Sequence, residues 1–388
     1  MRILHLLADW KWTGPSEPVL ILADALQRRG HEVIFAVQEP PEDVGETENI
    51  VRFARTRGVR VDTSLAWDRR TKPRNLFGIP GIVRDARRLS GLMEEFSADI
   101  VNAHSDHDHV TAALARRSLK DRPVLVRTDH KRDSFSAGLP SRLLLSRWTD
   151  GVVTFSPRAA RRIERTFSIP RGRLLVVDPA LDLSCWRPGP PAKDMRAAFG
   201  IPPDALVIGM VARFQAYRKT DRVIGAFARL TERHPNARLL LLGRSSQMEE
   251  SVHRPARKLG VADRVVTPGY IREGYRDALA SMDVFVFIVP GSDGTARALR
   301  EAMALAIPVV TADIGMLPEI VQANVSGLVV EPTEDALAAA LKRLCSDDRE
   351  RKRLGEGAGR AAHERFDITE QARIVEQFYR SLLEARGS

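Results

Sequence analysis

The sequence alternates regularly between short apolar runs and longer amphipathic segments. In the first half, runs such as RILHLLA, HEVIFAV and VLVRTD are separated by helical patterns such as EPVLILADALQRRG. Continuous runs of Val, Ile and Leu are typical of strands that are buried on both faces of a sheet. Strands that alternate with amphipathic helices predict an α/β fold with a parallel sheet.

The same alternation begins again after a proline-rich break, DLSCWRPGPPAKD, whose prolines interrupt both helix and strand. Runs such as ALVIGMVAR and ARLLLLG follow it. We therefore predict two Rossmann-like parallel-sheet domains that face a central cleft, because ligands of such sheets bind at the carboxyl ends of the strands. The predicted bounds are 1–187 for the N-terminal domain, 188–200 for a linker, 201–365 for the C-terminal domain and 366–388 for a last helix that crosses back to the N-terminal domain.

Composition excludes several classes of protein. The chain has 388 residues, of which 44% are hydrophobic, so it is long enough for two cored domains. We find no apolar run long enough to span a bilayer, and the N-terminus MRILHLLADW lacks the basic lead of a signal peptide. Cys185 and Cys345 stand far apart, which argues against a disulfide scaffold or a zinc site. A cytoplasmic protein is expected.

The charge is strongly positive and uneven. The net charge is +10, and residues 52–88 alone hold 11 basic and 3 acidic side chains. Such a face could meet an anionic lipid surface or a phosphorylated acceptor, or it could simply be solvated. Nucleic-acid binding is a weaker alternative, because aromatic side chains make up only 6% of the chain and do not interleave with the basic run as stacking platforms would.

Two carboxylates, Asp293 and Glu301, lie eight positions apart around a predicted helix start. The loop PGSDG follows the strand VFVFIV, and TARALREAMALA reads as a helix. Its first-turn amides, from Thr295 onwards, would form an anion site at the positive end of the helix dipole. Carboxylates on either side could then accept hydrogen bonds from sugar and ribose hydroxyls. The alternative is a helix cap and an ordinary helical glutamate.

A second group of charged residues follows the first strand of the C-terminal domain. Arg213 lies at the end of ALVIGMVAR, and Arg218 and Lys219 follow in the loop FQAYRK. Their cations could clamp a diphosphate and offset the charge on it as it departs, without a metal. Solvated loop cations are the alternative.

The segment HSDHDH, residues 104–109, mimics a metal-binding Asp-x-Asp motif. It lies between a predicted strand and a predicted helix, so its aspartates are plausible helix caps or acceptor contacts. We favour the cap over the metal.

Taken together, these segments resemble the retaining glycosyltransferases of family 4, which have the GT-B fold. The family's pair of glutamates eight positions apart is matched by Asp293 and Glu301, with Asp in the first place. Its strand–Arg–loop–Lys is matched by VARFQAYRK, and its next segment by REAMALAIPVVTADIGMLPEIV. The resemblance covers nearly the whole chain and implies that the two predicted domains are those of a GT-B enzyme.

The resemblance also implies roles for individual residues. Gly14 stands in the place of the glycine-rich loop after the first strand, Gly243 in LLLLGRS near the nucleotide, and Tyr270 in RVVTPGY where the base is received. His130, in VLVRTDHKR, matches a histidine near the transferred sugar, although a buried histidine without catalytic duty is the alternative. The implied donor-binding residues are Gly14, Arg213, Arg218, Lys219, Gly243, Tyr270, Asp293, Gly294, Thr295 and Glu301, and the implied catalytic residues are His130, Arg213, Lys219 and Asp293.

The expected activity follows from that resemblance. A sugar would move from a nucleotide-diphosphate sugar, UDP- or GDP-linked, to a hydroxyl of a cell-envelope, lipid-linked or polysaccharide acceptor, with retention of configuration and without a metal or cofactor. The enzyme would be cytoplasmic or peripheral on the inner face of the membrane, through residues 52–88. A nucleotide-sugar epimerase or a phosphorylase on the same fold, and a basic nucleic-acid-binding protein, are the alternatives.

Overall fold

The structure is a computed structural model that describes residues 1–12, 16–42, 49–67, 79–130, 135, 137–290 and 296–387. The described chain divides into two compact units. The N-terminal unit holds residues 1–180 and the C-terminal helix, and the C-terminal unit holds residues 181–290 and 296–367. Residues 188–200, predicted as a linker, belong to the C-terminal unit.

The N-terminal unit contains a parallel sheet of seven strands with helices between them. The strands are β1 (Arg2–Leu7), β2 (Glu32–Val37), β3 (Arg60–Asp62), β4 (Ile100–Ala103), β5 (Val124–Asp129), β6 (Gly151–Thr154) and β7 (Leu174–Val176). The helices are α1 (Ser16–Arg28), α2 (Ile50–Thr56), α3 (Ile79–Glu95), α4 (Asp106–Ala115), α5 (Leu139–Arg147) and α6 (Pro157–Phe167). The strand order is β3-β2-β1-β4-β5-β6-β7.

The C-terminal unit repeats this plan with six parallel strands. They are β8 (Val207–Val211), β9 (Arg238–Leu242), β10 (Val265–Gly269), β11 (Val284–Phe287), β12 (Val309–Ala312) and β13 (Leu328–Val330), in the order β10-β9-β8-β11-β12-β13. The helices are α7 (Met195–Ala198), α8 (Thr220–Thr231), α9 (Arg254–Lys258), α10 (Tyr275–Ala280), α11 (Arg297–Ala304), α12 (Leu317–Ile320), α13 (Glu334–Ser346), α14 (Asp348–Arg365) and finally α15 (Ile368–Gly387), which packs in the N-terminal unit.

Each sheet has one point at which the strand order reverses. In the N-terminal unit it lies between β1 and β4, and in the C-terminal unit between β8 and β11. Ligands of open parallel sheets bind outside the carboxyl ends of the strands at such a switch point, because the connecting loops diverge there and leave a crevice. The residues that follow β1, β4, β8 and β11 are therefore the first places to look for a site.

Both faces of the strands are buried, as the apolar runs predict. In β1, Ile3 and Leu7 pack in one core layer, and Leu4 and Leu6 pack in the layer on the other face. All four side chains are at most 5% exposed. The prediction of parallel sheets covered on both sides is confirmed in each unit. The short strand β3 lies within the basic run of residues 52–88, where no strand was predicted.

The C-terminal helix α15 completes the core of the N-terminal unit. Its apolar face packs with α1, and Tyr379 is fully buried and accepts a hydrogen bond from the Asn102 amide at 2.6 Å. At Gly151 the helix comes so close that an added Cβ would lie 2.6 Å from Leu382. None of the described helices is both long enough and apolar enough to cross a membrane.

A charged network also ties α15 to the N-terminal unit. The Glu376 carboxylate accepts hydrogen bonds from Arg29 at 2.6 Å and from Arg380 at 2.8 Å, and it lies 3.4 Å from His31. Burial raises the pKa of the Glu376 carboxyl, but the hydrogen bonds from Arg380 and Arg29 outweigh it and hold that pKa at about 2. The folded chain therefore favours the charged carboxylate.

Glu376→Gln is expected to lower the free energy of unfolding at pH 7 by about 1 to 3 kcal/mol. The pKa of Glu376 lies below that of an unfolded glutamate, about 4.3, so its stabilisation is complete above about pH 5 and is lost as the pH falls towards 2. Urea denaturation at several pH values measures the difference in the free energy of unfolding between the native protein and Glu376→Gln. The control is Glu370→Gln, which breaks an exposed pair with Arg373 on the same helix. If this difference in the free energy of unfolding stayed constant down to pH 2.5, the prediction would be contradicted.

Candidate functional site

The loop after β8 carries the predicted diphosphate cations at the carboxyl edge of the C-terminal sheet. Arg213 and Lys219 are exposed, and Arg218 is half-buried. Arg218 Nη1 donates to the carbonyl oxygen of Val289, just beyond β11, at 2.7 Å. That bond spans the switch point and fixes the loop to the neighbouring strand. Among the described residues, Arg213 and Lys219 form no ion pair, so their charges remain available to an anion.

Lys219 occupies an unusual backbone conformation. Its φ of 57° and ψ of 36° lie in the left-handed region, and α8 begins at the next residue. A non-glycine residue there costs about 1 to 2 kcal/mol. Such strain persists only where the surroundings impose it, and it is frequent at functional sites. Lys219 is thus the residue that immediately precedes α8, in the loop after β8 on one side of the switch point.

Gly243 follows β9 and lies close to the β8 loop. Its φ is 140°, and an added Cβ would lie 2.0 Å from the carbonyl oxygen of Ala212. Its amide donates to the Gly269 carbonyl at 2.9 Å, which links the ends of β9 and β10. The next residue after β10 is Tyr270, whose side chain is 53% exposed. The guanidinium of Arg244 lies 5.2 Å from the Tyr270 ring centroid.

Glu301 lies on α11, the helix that follows β11. Its side chain is 1% exposed, and both carboxylate oxygens accept hydrogen bonds, from Arg297 Nε at 2.6 Å and from the Tyr275 hydroxyl at 2.8 Å. Tyr275 in turn packs edge-on against Trp186. The carboxylate is thus held in one position at the same edge as the β8 loop. Each oxygen retains further lone-pair capacity for a ligand hydroxyl.

Several predicted site residues lie outside the described part of the chain. They are Gly14, Asp293, Gly294 and Thr295. The helix that was predicted to open at Thr295 begins at Arg297. Ala296 precedes it in the left-handed region, with a φ of 44°, so the helix starts later than the sequence pattern suggested.

In the N-terminal unit, His130 follows β5 and is 3% exposed. Its Nε2 lies 2.8 Å from His104 Nδ1, and His104 Nε2 lies 2.9 Å from His5 Nδ1. Burial, together with the positive charge of Arg127, lowers the pKa of His130 to about 3. The imidazole is therefore neutral at physiological pH and offers one donor and one acceptor.

The segment HSDHDH begins α4, as the cap interpretation predicts. Asp108 Oδ1 accepts a hydrogen bond from the Ser105 amide at 2.7 Å, and its Oδ2 accepts one from the Ala8 amide at 3.3 Å. Burial raises the pKa of Asp108 to about 6, although Arg127 opposes the shift. Arg127 itself is fully buried and bonds to Asp106 at 3.0 Å. In the described ranges, no three His, Cys, Asp or Glu side chains are placed to hold a metal ion.

The partners of two predicted residues were not foreseen from the sequence. Arg297 is four positions before Glu301, and an i,i+4 ion pair on the predicted helix could have revealed it. Tyr275 lies 26 positions away, so no local pattern reports its contact with Glu301. The same holds for His104 and His130, and for His5, which the sequence indicated only as a core residue.

Two family descriptions match successive parts of the chain. Residues 14–184 match "Glycosyltransferase Family 4", and residues 192–360 match "Glycosyl transferases group 1". Together they span most of the sequence. The first segment contains β2 to β7, and the second contains all six strands of the C-terminal sheet. The chain belongs to the family 4 glycosyltransferases.

Known proteins agree with this membership. A D-inositol 3-phosphate glycosyltransferase of Streptomyces bingchenggensis is 29% identical over 245 residues, which cover 59% of this chain and 52% of that protein. This family 4 chain thus spans about half the length of the curated relatives it matches. A glycosyltransferase of Rickettsia africae superposes with a TM-score of 0.81 at 17% identity over 98% of both chains. HepE of Anabaena, solved with UDP, gives 0.79 at 18% identity over 98% of this chain and 100% of HepE. These similarities confirm the GT-B fold.

Proposed function

We propose that this protein is a retaining glycosyltransferase that moves a sugar from a nucleotide-diphosphate sugar to an acceptor hydroxyl. The observation that carries the proposal is the pair of exposed cations, Arg213 and Lys219, at the switch point of the C-terminal sheet. The helix α11, which follows β11 at the same switch point, carries the buried carboxylate of Glu301. Two positive charges in a crevice suit a diphosphate, and a fixed carboxylate suits the hydroxyls of a ribose. The names of the relatives and the UDP bound to HepE support the same assignment.

The proposed reaction breaks the bond between the anomeric carbon and the diphosphate in an oxocarbenium-like transition state. The bond to the acceptor oxygen forms on the same face, which retains the configuration, and the acceptor hydroxyl gives its proton to the departing diphosphate. Negative charge builds on the departing diphosphate, and Arg213 and Lys219 offset it, with no metal or cofactor in our proposal. His130 orients the sugar. Asp293, which lies outside the described residues, accepts hydrogen bonds from the sugar hydroxyls.

The contacts of Arg218 and Lys219 suggest different duties for these neighbours. Arg218 already donates to the Val289 carbonyl, and it therefore serves to hold the loop against β11. Lys219 is exposed at the start of α8. We assign the second phosphate cation to Lys219 and an anchoring role to Arg218. Tyr270, at the end of β10, offers an exposed ring beside the site for the nucleotide base, which we propose is uracil or guanine.

We propose an anionic acceptor that carries the receiving hydroxyl. The relatives named D-inositol 3-phosphate glycosyltransferase suggest a phosphorylated polyol, and the basic surface of the N-terminal unit suits a lipid-linked or cell-envelope glycan. Both are anionic. The two kinds of acceptor are distinguished by comparing sugar transfer to soluble inositol 3-phosphate with sugar transfer to a lipid extract.

The direct test of the activity is the release of nucleoside diphosphate from UDP- or GDP-sugars with and without these acceptors. A transferase releases nucleoside diphosphate in proportion to the acceptor that is consumed, and the product keeps the anomeric configuration of the donor by NMR. An epimerase would convert the nucleotide sugar without any acceptor, and a phosphorylase would require inorganic phosphate. Either of those results would contradict the proposal.

A basic surface supports peripheral binding to the inner face of the cytoplasmic membrane. On α3, Arg87 and Arg88 are exposed, and the 68–78 part of the predicted basic run lies outside the described residues. The next helix, α4, packs against α3, and Ser90 and Ser118 bond at 2.8 Å. The end of α4 lines a pocket of about 320 Å³, which we call the arginine pocket. Its lining includes Arg116, Arg117, Arg122, Arg147 and Trp148.

The triple variant Arg117→Glu, Arg122→Glu and Arg147→Glu is expected to lose binding to vesicles that contain phosphatidylglycerol. Each basic residue near an anionic surface contributes about 1 kcal/mol, so reversal of three charges should weaken binding more than 100-fold. Vesicle sedimentation measures it, with phosphatidylcholine vesicles as the neutral comparison. The control reverses three exposed arginines of the C-terminal unit, Arg233, Arg349 and Arg360. If the unmodified protein did not bind the vesicles, or if both triple variants lost vesicle binding equally, membrane binding through the arginine pocket would be contradicted.

A further inference from the structure

Three buried histidines form a single hydrogen-bonded chain across neighbouring strands of the N-terminal sheet. His5 lies on β1, His104 follows β4 and His130 follows β5, and these strands are adjacent. The two links measure 2.9 Å and 2.8 Å between ring nitrogens. The side chains are 0%, 4% and 3% exposed, respectively. We call this chain the histidine relay. It lies at the switch point between β1 and β4.

All three rings of the relay are neutral. Burial lowers the pKa of His5 and of His130 to about 3, and it lowers the pKa of His104 well below its usual value. The positive charge of Arg127 adds to the lowering at His104 and His130. A neutral imidazole carries one N–H and one lone pair. In each link, one ring must therefore donate and the other must accept.

The two links couple the tautomers of the three rings. If His5 Nδ1 carries a proton, it donates to His104 Nε2. His104 then donates from Nδ1 to His130 Nε2, and the proton of His130 sits on Nδ1. In the reverse arrangement, His130 donates from Nε2, and its Nδ1 is a bare acceptor. Mixed states would leave a buried link without a proton or with two, which costs about 1 to 3 kcal/mol.

Both ends of the relay are buried and have no hydrogen-bond partner among the described residues. The end atoms are His5 Nε2 and His130 Nδ1. Buried polar atoms in native proteins are nearly always bonded, so an unpaired one calls for a ligand or another explanation. One of these two ends, Nδ1, belongs to His130, which lies next to the transferred sugar in the proposed function. A sugar hydroxyl bonded there would complete the chain.

We propose that His104 and His5 are positioning residues, which set the tautomer of His130 and so decide whether its Nδ1 donates to, or accepts from, a hydroxyl of the donor sugar. The inference rests on the proposed function, because it takes the ligand of His130 from it. The relay acts through His130 alone, so His104 and His5 do not touch the substrate. The relay therefore affects how the donor sugar is oriented in the transition state, and it does not affect the affinity for the nucleotide.

The first test reads the tautomers without turnover. Long-range proton–nitrogen correlation spectra of the full chain, labelled with ¹⁵N-histidine at pH 7.5, report which nitrogen of each ring is protonated. The proposal predicts one neutral tautomer per ring, in the same direction along the relay. In His104→Phe, which keeps an aromatic ring at this position and removes both links, His130 is expected to become a mixture of tautomers. A charged ring, or a His130 tautomer that does not change, would overturn the relay.

The second test is kinetic. His104→Phe is expected to lower kcat about 10- to 100-fold and to leave KM for the nucleotide sugar within about threefold, because each lost hydrogen bond in the transition state is worth about 1 to 3 kcal/mol. His104→Gln, whose amide both donates and accepts, should recover part of kcat. His5→Gln should give a smaller loss and serves as a second variant if His104→Phe does not fold.

The matched control is His109→Phe. His109 is also buried in the N-terminal unit, but it bonds to the Thr149 hydroxyl at 2.8 Å and lies outside the relay. This change should cost stability and leave kcat and the tautomer of His130 unchanged. Equal losses of kcat in the two Phe variants would overturn the positioning role. The spectra remain informative even if no nucleotide sugar is turned over, so failure of the relay and failure of the proposed function give different results.

Discussion

Replacing Arg213 and Lys219 together by alanine is expected to lower kcat about 10³-fold or more without loss of the fold. Both side chains are exposed, and neither has an ion-pair partner among the described residues, so the folded state loses little when they go. In the transition state, however, charge grows on the departing diphosphate, and removal of a single preorganised donor typically costs 10²- to 10³-fold. Steady-state kinetics measures kcat, and thermal unfolding checks the fold.

The neighbouring Arg218 provides the matched control for this result. Its Nη1 donates to the Val289 carbonyl, so Arg218→Ala removes an anchor of the loop rather than a phosphate ligand. We expect it to lower the free energy of unfolding by about 1 to 2 kcal/mol and to reduce kcat less than the double variant does. If Arg218→Ala alone abolished activity and the double variant kept it, the assignment of the phosphate cations would be reversed.

Gly243→Ala is expected to prevent stable folding of the C-terminal unit, or to destabilise it by about 4 kcal/mol or more. The added Cβ would lie 2.0 Å from the Ala212 carbonyl oxygen, an atom of the backbone that cannot turn away as a side chain would. The φ of 140° is also a conformation that residues other than glycine rarely adopt. Soluble yield and urea denaturation measure the loss.

Gly260→Ala separates these two causes. Gly260 also has a positive φ, of 68°, but an added Cβ there would have no atom within 4 Å. Its substitution should cost about 1 to 2 kcal/mol, the strain of the left-handed region alone. Equal effects of the two substitutions would show that the close approach at Gly243 is relieved by movement of the β8 loop, against our prediction.

The strands were the most predictable part of the fold. The runs VIGMV and RLLLL are continuous and apolar because both faces of the sheet are covered, and this pattern needs no knowledge of distant residues. The strand β3 was missed because it has three residues and only Val61 is apolar. It forms because Val61 pairs with Phe35 of β2, which a local pattern does not report.

The site was predictable in residue type but not in detail. From the sequence, Arg213, Arg218 and Lys219 lie in one loop, and nothing in it distinguishes the roles of the two adjacent cations. The structure distinguishes them, because Arg218 donates a hydrogen bond to the Val289 carbonyl. Alanine favours right-handed backbone, so the left-handed Ala296 and the later start of α11 could not be foreseen. The two links of the histidine relay join residues that are 99 and 26 positions apart, and no periodic pattern connects them.

Calorimetric titration of UDP-, GDP-, ADP- and dTDP-sugars into the native chain, Arg213→Ala and Glu301→Gln measures whether the donor binds at the carboxyl edge of the C-terminal sheet. We expect one nucleotide sugar to bind the native chain, and both variants to bind it at least tenfold more weakly. Glu301→Gln keeps the size of the side chain, so the loss reports the carboxylate and not a cavity. If no nucleotide sugar bound, or if both variants bound with native affinity, the donor site would not be at the carboxyl edge of the C-terminal sheet.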